Sequence, residues 1–149
     1  MNSIPTENHG HFPVMLSETI NNLNILETGF YIDGTVGLGG HSYEILQNLK
    51  EGFLVGFDRD SNSIRIARNK LSDFKNFELF HSSYKDLENV LSKLKINQVN
   101  GIFLDLGLSS FQLDSPSRGF SYRYNSKLDM RFDLDNQKTA EDIIANSSQ

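Results

Sequence analysis

Four short apolar runs recur along this chain, at Phe30-Tyr31-Ile32, Phe53-Leu54-Val55-Gly56-Phe57, Phe77-Glu78-Leu79-Phe80 and Gly101-Ile102-Phe103-Leu104. Each is short enough for a strand and too short for a helix. With little alternation of apolar and polar residues, such runs suit strands buried on both faces of a parallel sheet. The segments between them carry helical stripes: Ile45, Leu46 and Leu49 within 42–49, Ile64, Ala67 and Leu71 within 61–71, and Leu87, Val90, Leu91 and Leu94 within 84–94. A further helix is expected over 16–23. A last one opens at Thr139 as N-cap, with Asp142 at the N3 position. Strands that alternate with helices imply right-handed crossovers and a doubly wound parallel α/β sheet. From Asp105 to Lys138 the pattern breaks into a long polar stretch rich in turn residues, the kind of connection that is functional or disordered.

The first strand leads into Asp33-Gly34-Thr35-Val36-Gly37-Leu38-Gly39-Gly40-His41-Ser42, with four glycines in the seven positions 34–40. Glycine admits positive φ and lets a ligand lie on bare backbone, and the helix start that follows offers unpaired N–H groups. Asp58 lies 18 residues after Gly40, at the end of the second strand. There a nucleotide-binding α/β fold places a carboxylate for ribose hydroxyls. Strand, glycines, helix, strand and acid in this order outweigh the reading of a merely tight turn. Gly37-Leu38-Gly39-Gly40 lacks the G-x-G-x-x-G spacing of dinucleotide folds, and Asp33 would repel a pyrophosphate. On charge grounds S-adenosylmethionine, with a sulfonium and an α-amino group, is favoured over NAD.

Composition narrows the classes further. Among 149 residues there is no cysteine, which excludes disulfides, thiolate nucleophiles and Cys-ligated zinc. No apolar run approaches the roughly 18 residues of a membrane span. The polar N-terminal segment has no signal-peptide pattern, so a cytoplasmic location is expected. The net charge of −5 argues against nucleic-acid binding by bulk electrostatics, so any RNA contact must be local. One such place is 118–131, where Arg118, Arg123, Lys127 and Arg131 are interleaved with Phe120, Tyr122 and Tyr124 and only Asp129 is acidic. Cations with aromatic platforms suit an unstacked RNA strand.

The chain also resembles a known family. His11-Phe12-Pro13-Val14-Met15-Leu16, the turn from Asp33 to Ser42, Asp58-Arg59-Asp60, Asp105 to Asp114, Arg118-Gly119-Phe120-Ser121 and Leu128-Asp129-Met130-Arg131 look like the successive motifs of the RsmH (MraW) methyltransferases. The resemblance runs from about His11 to Ile144. It implies a Rossmann-like class I methyltransferase fold and transfer of a methyl group from S-adenosylmethionine to N4 of a cytidine in 16S ribosomal RNA, in the decoding region of the small subunit. It implies cofactor contacts at Gly39, Gly40, His41, Asp58, Asp105 and Gln112. Tyr84 stands where the family usually has Phe, keeping an aromatic face for adenine.

Asp105, at the carboxyl end of a parallel strand, is the candidate catalytic group. A cytosine amino nitrogen is a poor nucleophile, and an acceptor for one of its protons would favour pyramidalisation during attack. The sequence Asp105-Leu106-Gly107-Leu108 lacks the proline-aromatic clamp of other amino-methyltransferases, so Asp105 could instead serve the cofactor. Arg118 and Arg131 are the expected RNA contacts. His41 either touches the ligand or fills the first helical turn, and Asp33 either orients the turn or binds the cofactor amine. Asp60 is expected to cap a helix, and Phe103 and Leu104 to be core. His9, His11 and His81 show no metal-ligand spacing, and no metal is expected. The resemblance further implies a domain over 1–138 that is truncated before the final strands of its sheet. Residues 139–149 would then start an inserted helical substrate domain. A fragment of this kind is expected to be inactive alone, and the alternative reading is a truncated, non-catalytic fragment that binds cofactor weakly or not at all.

Overall fold

The computed structural model describes residues 13–147. His9 and His11 lie outside them. The elements follow in the order α1 (Leu16–Leu23), β1 (Phe30–Asp33), α2 (Gly40–Gln47), β2 (Phe53–Asp58), α3 (Ser61–Lys70), β3 (Phe77–His81), α4 (Leu87–Leu94), β4 (Gly101–Phe103), α5 (Ser110–Asp114) and α6 (Ala140–Asn146). Four parallel strands stand in the order β3-β2-β1-β4. The order reverses between β1 and β4, and at that point the carboxyl ends of the strands open a crevice.

Successive residues of the central strands point to opposite faces, and both faces are covered. Tyr31 and Leu54 pack with Ile45, Leu46, Ile64 and Ala67 of α2 and α3, with α1 contributing Ile20 and Leu23. Ile32, Val55 and Phe57 pack with Val90 and its neighbours Leu87, Leu91 and Leu94 of α4. The unalternated apolar runs of β1 and β2 follow from this two-sided burial. β4 differs because it stands at the edge of the described sheet: Ile102 is 50% exposed and Leu104 43%. Leu104 is therefore not the core residue its run suggested, since beyond β4 no described strand or helix covers it.

Helix ends follow local chemistry. Asp60 caps α3 by accepting from Asn62 N at 3.0 Å. Thr139 and Asp142 cap α6 reciprocally. The expected helix over 84–94 opens as a 3₁₀ turn at Tyr84–Asp86 before α4, because the Ser83 hydroxyl accepts from Lys85 N. The long connection after β4 is ordered in part by α5, held by a capping box in which Ser109 and Gln112 each satisfy the other's backbone N–H. A 3₁₀ turn at Pro116–Arg118 follows. Gly119 then takes φ +71°, where a Cβ would run into the Lys127 carbonyl.

Candidate functional site

The crevice at the carboxyl ends of β1, β2 and β4 holds a cavity of about 470 Å³. Its floor is the turn after β1. Gly34 N donates to Phe103 O at 2.9 Å and Val36 N to Phe57 O at 3.0 Å, which fastens the turn to β4 and β2 together. Asp33, fully buried, sets its shape from below. Ser42 Oγ donates to Asp33 Oδ2 at 2.6 Å and Thr35 N to Oδ1 at 3.0 Å. Burial pushes the Asp33 carboxyl up to about 6, against the lowering effect of these two hydrogen bonds. Asp33 does not line the cavity, so its geometry is that of a group orienting the turn.

Asp58 faces the turn from the end of β2. Its Oδ2 accepts from Gly37 N at 2.7 Å and its Oδ1 from Asp60 N at 2.8 Å. Each oxygen keeps a second lone pair, so the carboxylate is held from behind and can still accept two hydroxyls. Burial raises the Asp58 carboxyl, and the backbone hydrogen bonds oppose that shift. Gly37 adopts φ +52°, and a Cβ there would meet nothing closer than Thr35 O, at 3.9 Å. Its bare backbone lines the cavity.

Gly40, His41, Tyr84, Asp105 and Gln112 complete the lining expected from sequence. His41 is buried. Its Nε2 lies 3.0 Å from Val14 O and its ring packs against Phe103 at 4.4 Å between centroids. Tyr84 lines the cavity and is 39% exposed. The Asp105 carboxylate is exposed, while its backbone N–H donates to Thr35 Oγ1 at 2.7 Å and so aligns the chain after β4 with the turn.

Four of the expected site residues make other contacts in the structure. Gly39 is not in the lining; at φ +80° its missing Cβ faces Ala67 of α3 at 3.1 Å, so this glycine serves helix packing. Gln112 reaches the cavity wall, but its amide is engaged: Nε2 donates to Asp60 Oδ2 at 3.1 Å and Oε1 accepts from Ser109 N at 3.1 Å. Arg118 is 5% exposed and forms an ion pair with Asp60 at 2.7 Å, while its Nη2 donates to Arg131 O and Phe132 O. A guanidinium buried in this way is not available to an RNA backbone. Arg131 pairs with Asp129 at 2.7 Å and donates to the carbonyls of Leu134 and Asn136, so its donors too are spent inside the loop.

Sequence reasoning missed two features. Asp60 is more than a cap, because it accepts from three segments at once. Phe132 lines the cavity, with the Arg59 guanidinium 5.7 Å from its ring centroid. The Asp58-Arg59-Asp60 motif was the only available signal for either. Among the described residues one grouping of metal-ligating types appears, His81 with Asp133 and Asp135. His81 Nε2 lies 3.1 Å from Arg59 O and 3.6 Å from Asp133.

The model of the MraW methylase family matches residues 8–149. The chain belongs to this family. Over 140 residues it is 46% identical to ribosomal RNA small subunit methyltransferase H of Mycoplasmopsis agalactiae, covering 93% of this chain and 47% of that protein. It is 49% identical over 142 residues to ribosomal RNA small subunit methyltransferase H 2 of Agathobacter rectalis, covering 93% of this chain and 45% of that protein. This MraW family chain thus spans about half the length of the curated relatives it matches. Among solved structures, a SAM-dependent O-methyltransferase from Thermotoga maritima aligns with a TM-score of 0.53 at 16% identity, over 64% of this chain and 36% of that one. A protein-L-isoaspartate O-methyltransferase aligns equally well at 11% identity, over 64% of this chain and 30% of that one. At such identities the likeness concerns the fold, which is the Rossmann-like fold of class I methyltransferases.

Proposed function

We propose that this chain is the S-adenosylmethionine-binding part of an enzyme that methylates N4 of a cytidine in the 16S ribosomal RNA of the small subunit. The observation that carries the reading is the contact between Gly37 and Asp58 in the cavity lining, at 2.7 Å. A bare glycine backbone lies beside a carboxylate, and both line the cavity. These residues fit the cofactor: Asp58 for the ribose hydroxyls, Tyr84 for the adenine face, and Gly40, His41 and Asp105 for the remainder. The names of the relatives, ribosomal RNA small subunit methyltransferases, support the substrate class. A cytoplasmic location accords with that substrate, and no described helix is long and apolar enough to cross a membrane.

When bound, the cofactor supplies a methyl group on a sulfonium. The chain's own part is positioning, with reacting atoms held at about 3–3.5 Å. Asp105 is the acceptor that would hold a proton of the cytidine amine as that nitrogen gains the methyl group. On the RNA side, Arg118 and Arg131 are engaged internally, and the exposed groups of the same loop, Tyr122, Arg123, Tyr124 and Lys127, are better placed for an unstacked strand. We assign 1–138 to the cofactor-binding unit and 139–149 to the start of a second one.

Titration calorimetry of the chain with S-adenosylmethionine and with NAD tests the ligand. Saturable heat with the methyl donor alone is expected; saturable heat with NAD alone overturns the reading. Transfer of labelled methyl to unmodified small-subunit particles, by a full-length relative carrying charge reversals at the positions matching Arg123 and Lys127, tests the RNA face. Weaker association with a shallower salt dependence is expected.

A further inference from the structure

Asp60 lies two residues beyond Asp58 and is 1% exposed. Its backbone N–H donates to Asp58 Oδ1 at 2.8 Å. Its Oδ1 caps α3, and its Oδ2 accepts from Gln112 Nε2 at 3.1 Å and Arg118 Nη1 at 2.7 Å. Three cavity-lining segments therefore meet at one residue. The β2–α3 turn carries Asp58 and Arg59. The α5 segment is fixed through the Gln112–Ser109 box. The loop after Pro116 is reached through Arg118, whose Nη2 donates to Arg131 O at 2.8 Å and Phe132 O at 3.0 Å. Phe132 itself lines the cavity. Burial would raise the Asp60 carboxyl, but the hydrogen bonds from Gln112 and Arg118, with the Arg118 charge, outweigh it and hold it below the usual carboxylate range.

From this arrangement we propose that Asp60 is a positioning residue which, through Arg118, couples the order of loop 116–132 to occupancy of the cavity. The inference rests on the S-adenosylmethionine reading for the identity of the occupant. A ligand held by Asp58 restrains the β2–α3 turn, and the same turn carries the carboxylate that anchors the loop. By linkage, whatever orders the loop raises affinity for the ligand by the same factor that the ligand favours the ordered loop. The coupling depends on the fork of Arg118, which spans a carboxylate and two carbonyls. A lysine ammonium keeps the charge but lacks that span. Breaking the pair by removing one partner leaves a buried charge alone, whereas replacing both partners avoids that cost.

The test uses the full chain with Arg118→Lys, and with the charge-neutral double change Asp60→Asn plus Arg118→Met, in which Asn keeps the helix cap. Hydrogen exchange is followed with and without S-adenosylmethionine, together with affinity by calorimetry. In the wild type, ligand should slow exchange in both the 34–40 turn and the 116–132 loop. In the variants, ligand should still protect the turn but no longer the loop, and affinity should fall at least fivefold. A cap or packing role alone would weaken both regions together. Folded variants that bind within twofold of wild type and retain loop protection overturn the inference while leaving the proposed function standing. A wild-type chain that binds no S-adenosylmethionine overturns the proposed function and the ligand-linked half of the inference with it. The ligand-free comparison still decides the anchor, because faster exchange confined to 116–132 in Arg118→Lys supports it and unchanged exchange refutes it.

Discussion

Asp58 meets two backbone N–H groups from behind and the cavity in front. Asp58→Ala should weaken S-adenosylmethionine binding more than tenfold, because a charge-assisted hydrogen bond to a hydroxyl contributes about 1.5–3 kcal/mol. Calorimetry on a variant whose fold is verified by circular dichroism measures this, and unchanged affinity would remove Asp58 from the site. Asp33 carries a pH dependence of its own. Burial lifts its carboxyl from 3.8 to about 6, so between those values the folded chain retains a proton that the unfolded chain has released. Stability contributed at Asp33 is therefore highest below that window, falls as pH rises through it, and is level above about 6. A full shift of this size corresponds to on the order of 3 kcal/mol. Asp33→Asn lacks the titration, so urea unfolding should show its stability gaining on wild type between about pH 4 and about pH 7. A difference that stays constant with pH would contradict the assignment. Asp58 and Asp105 were legible in sequence because each stands at the carboxyl end of an apolar run, Phe53–Phe57 and Gly101–Leu104. The role of Arg118 was not, because its carboxylate partner is 58 residues away and a basic loop reads as exposed when only its neighbours are visible.

At the scale of elements, β1, β2 and β3, α1 and α3 were legible because each carries its own period and its own stop: a cap at Asp60, or a glycine turn after Asp33. The edge status of β4 was not, since Gly101-Ile102-Phe103-Leu104 is as apolar as a central strand and its exposure depends on what lies beside it. The glycine turn divides in a way that composition does not reveal. Gly37 at φ +52° faces the cavity with open space, whereas Gly39 at φ +80° faces Ala67. Gly39→Val should therefore lower the unfolding temperature, through left-handed strain of about 1–2 kcal/mol plus the clash with α3. Gly37→Val carries comparable strain but no clash with the protein, and its main effect should be loss of ligand binding. Thermal unfolding and calorimetry on the two variants separate these outcomes. Equal loss of stability and equal loss of affinity in both would show that the turn responds as one unit.

Among the described residues the sheet is covered on both faces at β1 and β2 and open beyond β4, where Ile102, in register with Ile32 on the α4 face, is half exposed and Leu104 and Leu106 are exposed too. An unpaired strand edge with apolar side chains is a template for association. The chain as given should self-associate with rising concentration, and Ile102→Lys should shift it toward monomer without changing cofactor affinity, since Ile102 does not line the cavity. Sedimentation velocity measures the first effect and calorimetry the second; a chain that stays monomeric across the range would show the edge to be protected. The same openness bears on turnover. Leu106 and Leu108 form a wall of the cavity yet are 70% and 41% exposed, so a target base would be confined from the turn side only. Misplacement of a reacting atom by about 1 Å can cost 10²-fold in rate. The isolated chain should therefore bind S-adenosylmethionine but transfer its methyl group to small-subunit particles at less than a tenth of the rate of a full-length relative, such as that of Mycoplasmopsis agalactiae. Transfer within tenfold of that protein would show that the described elements alone confine the base.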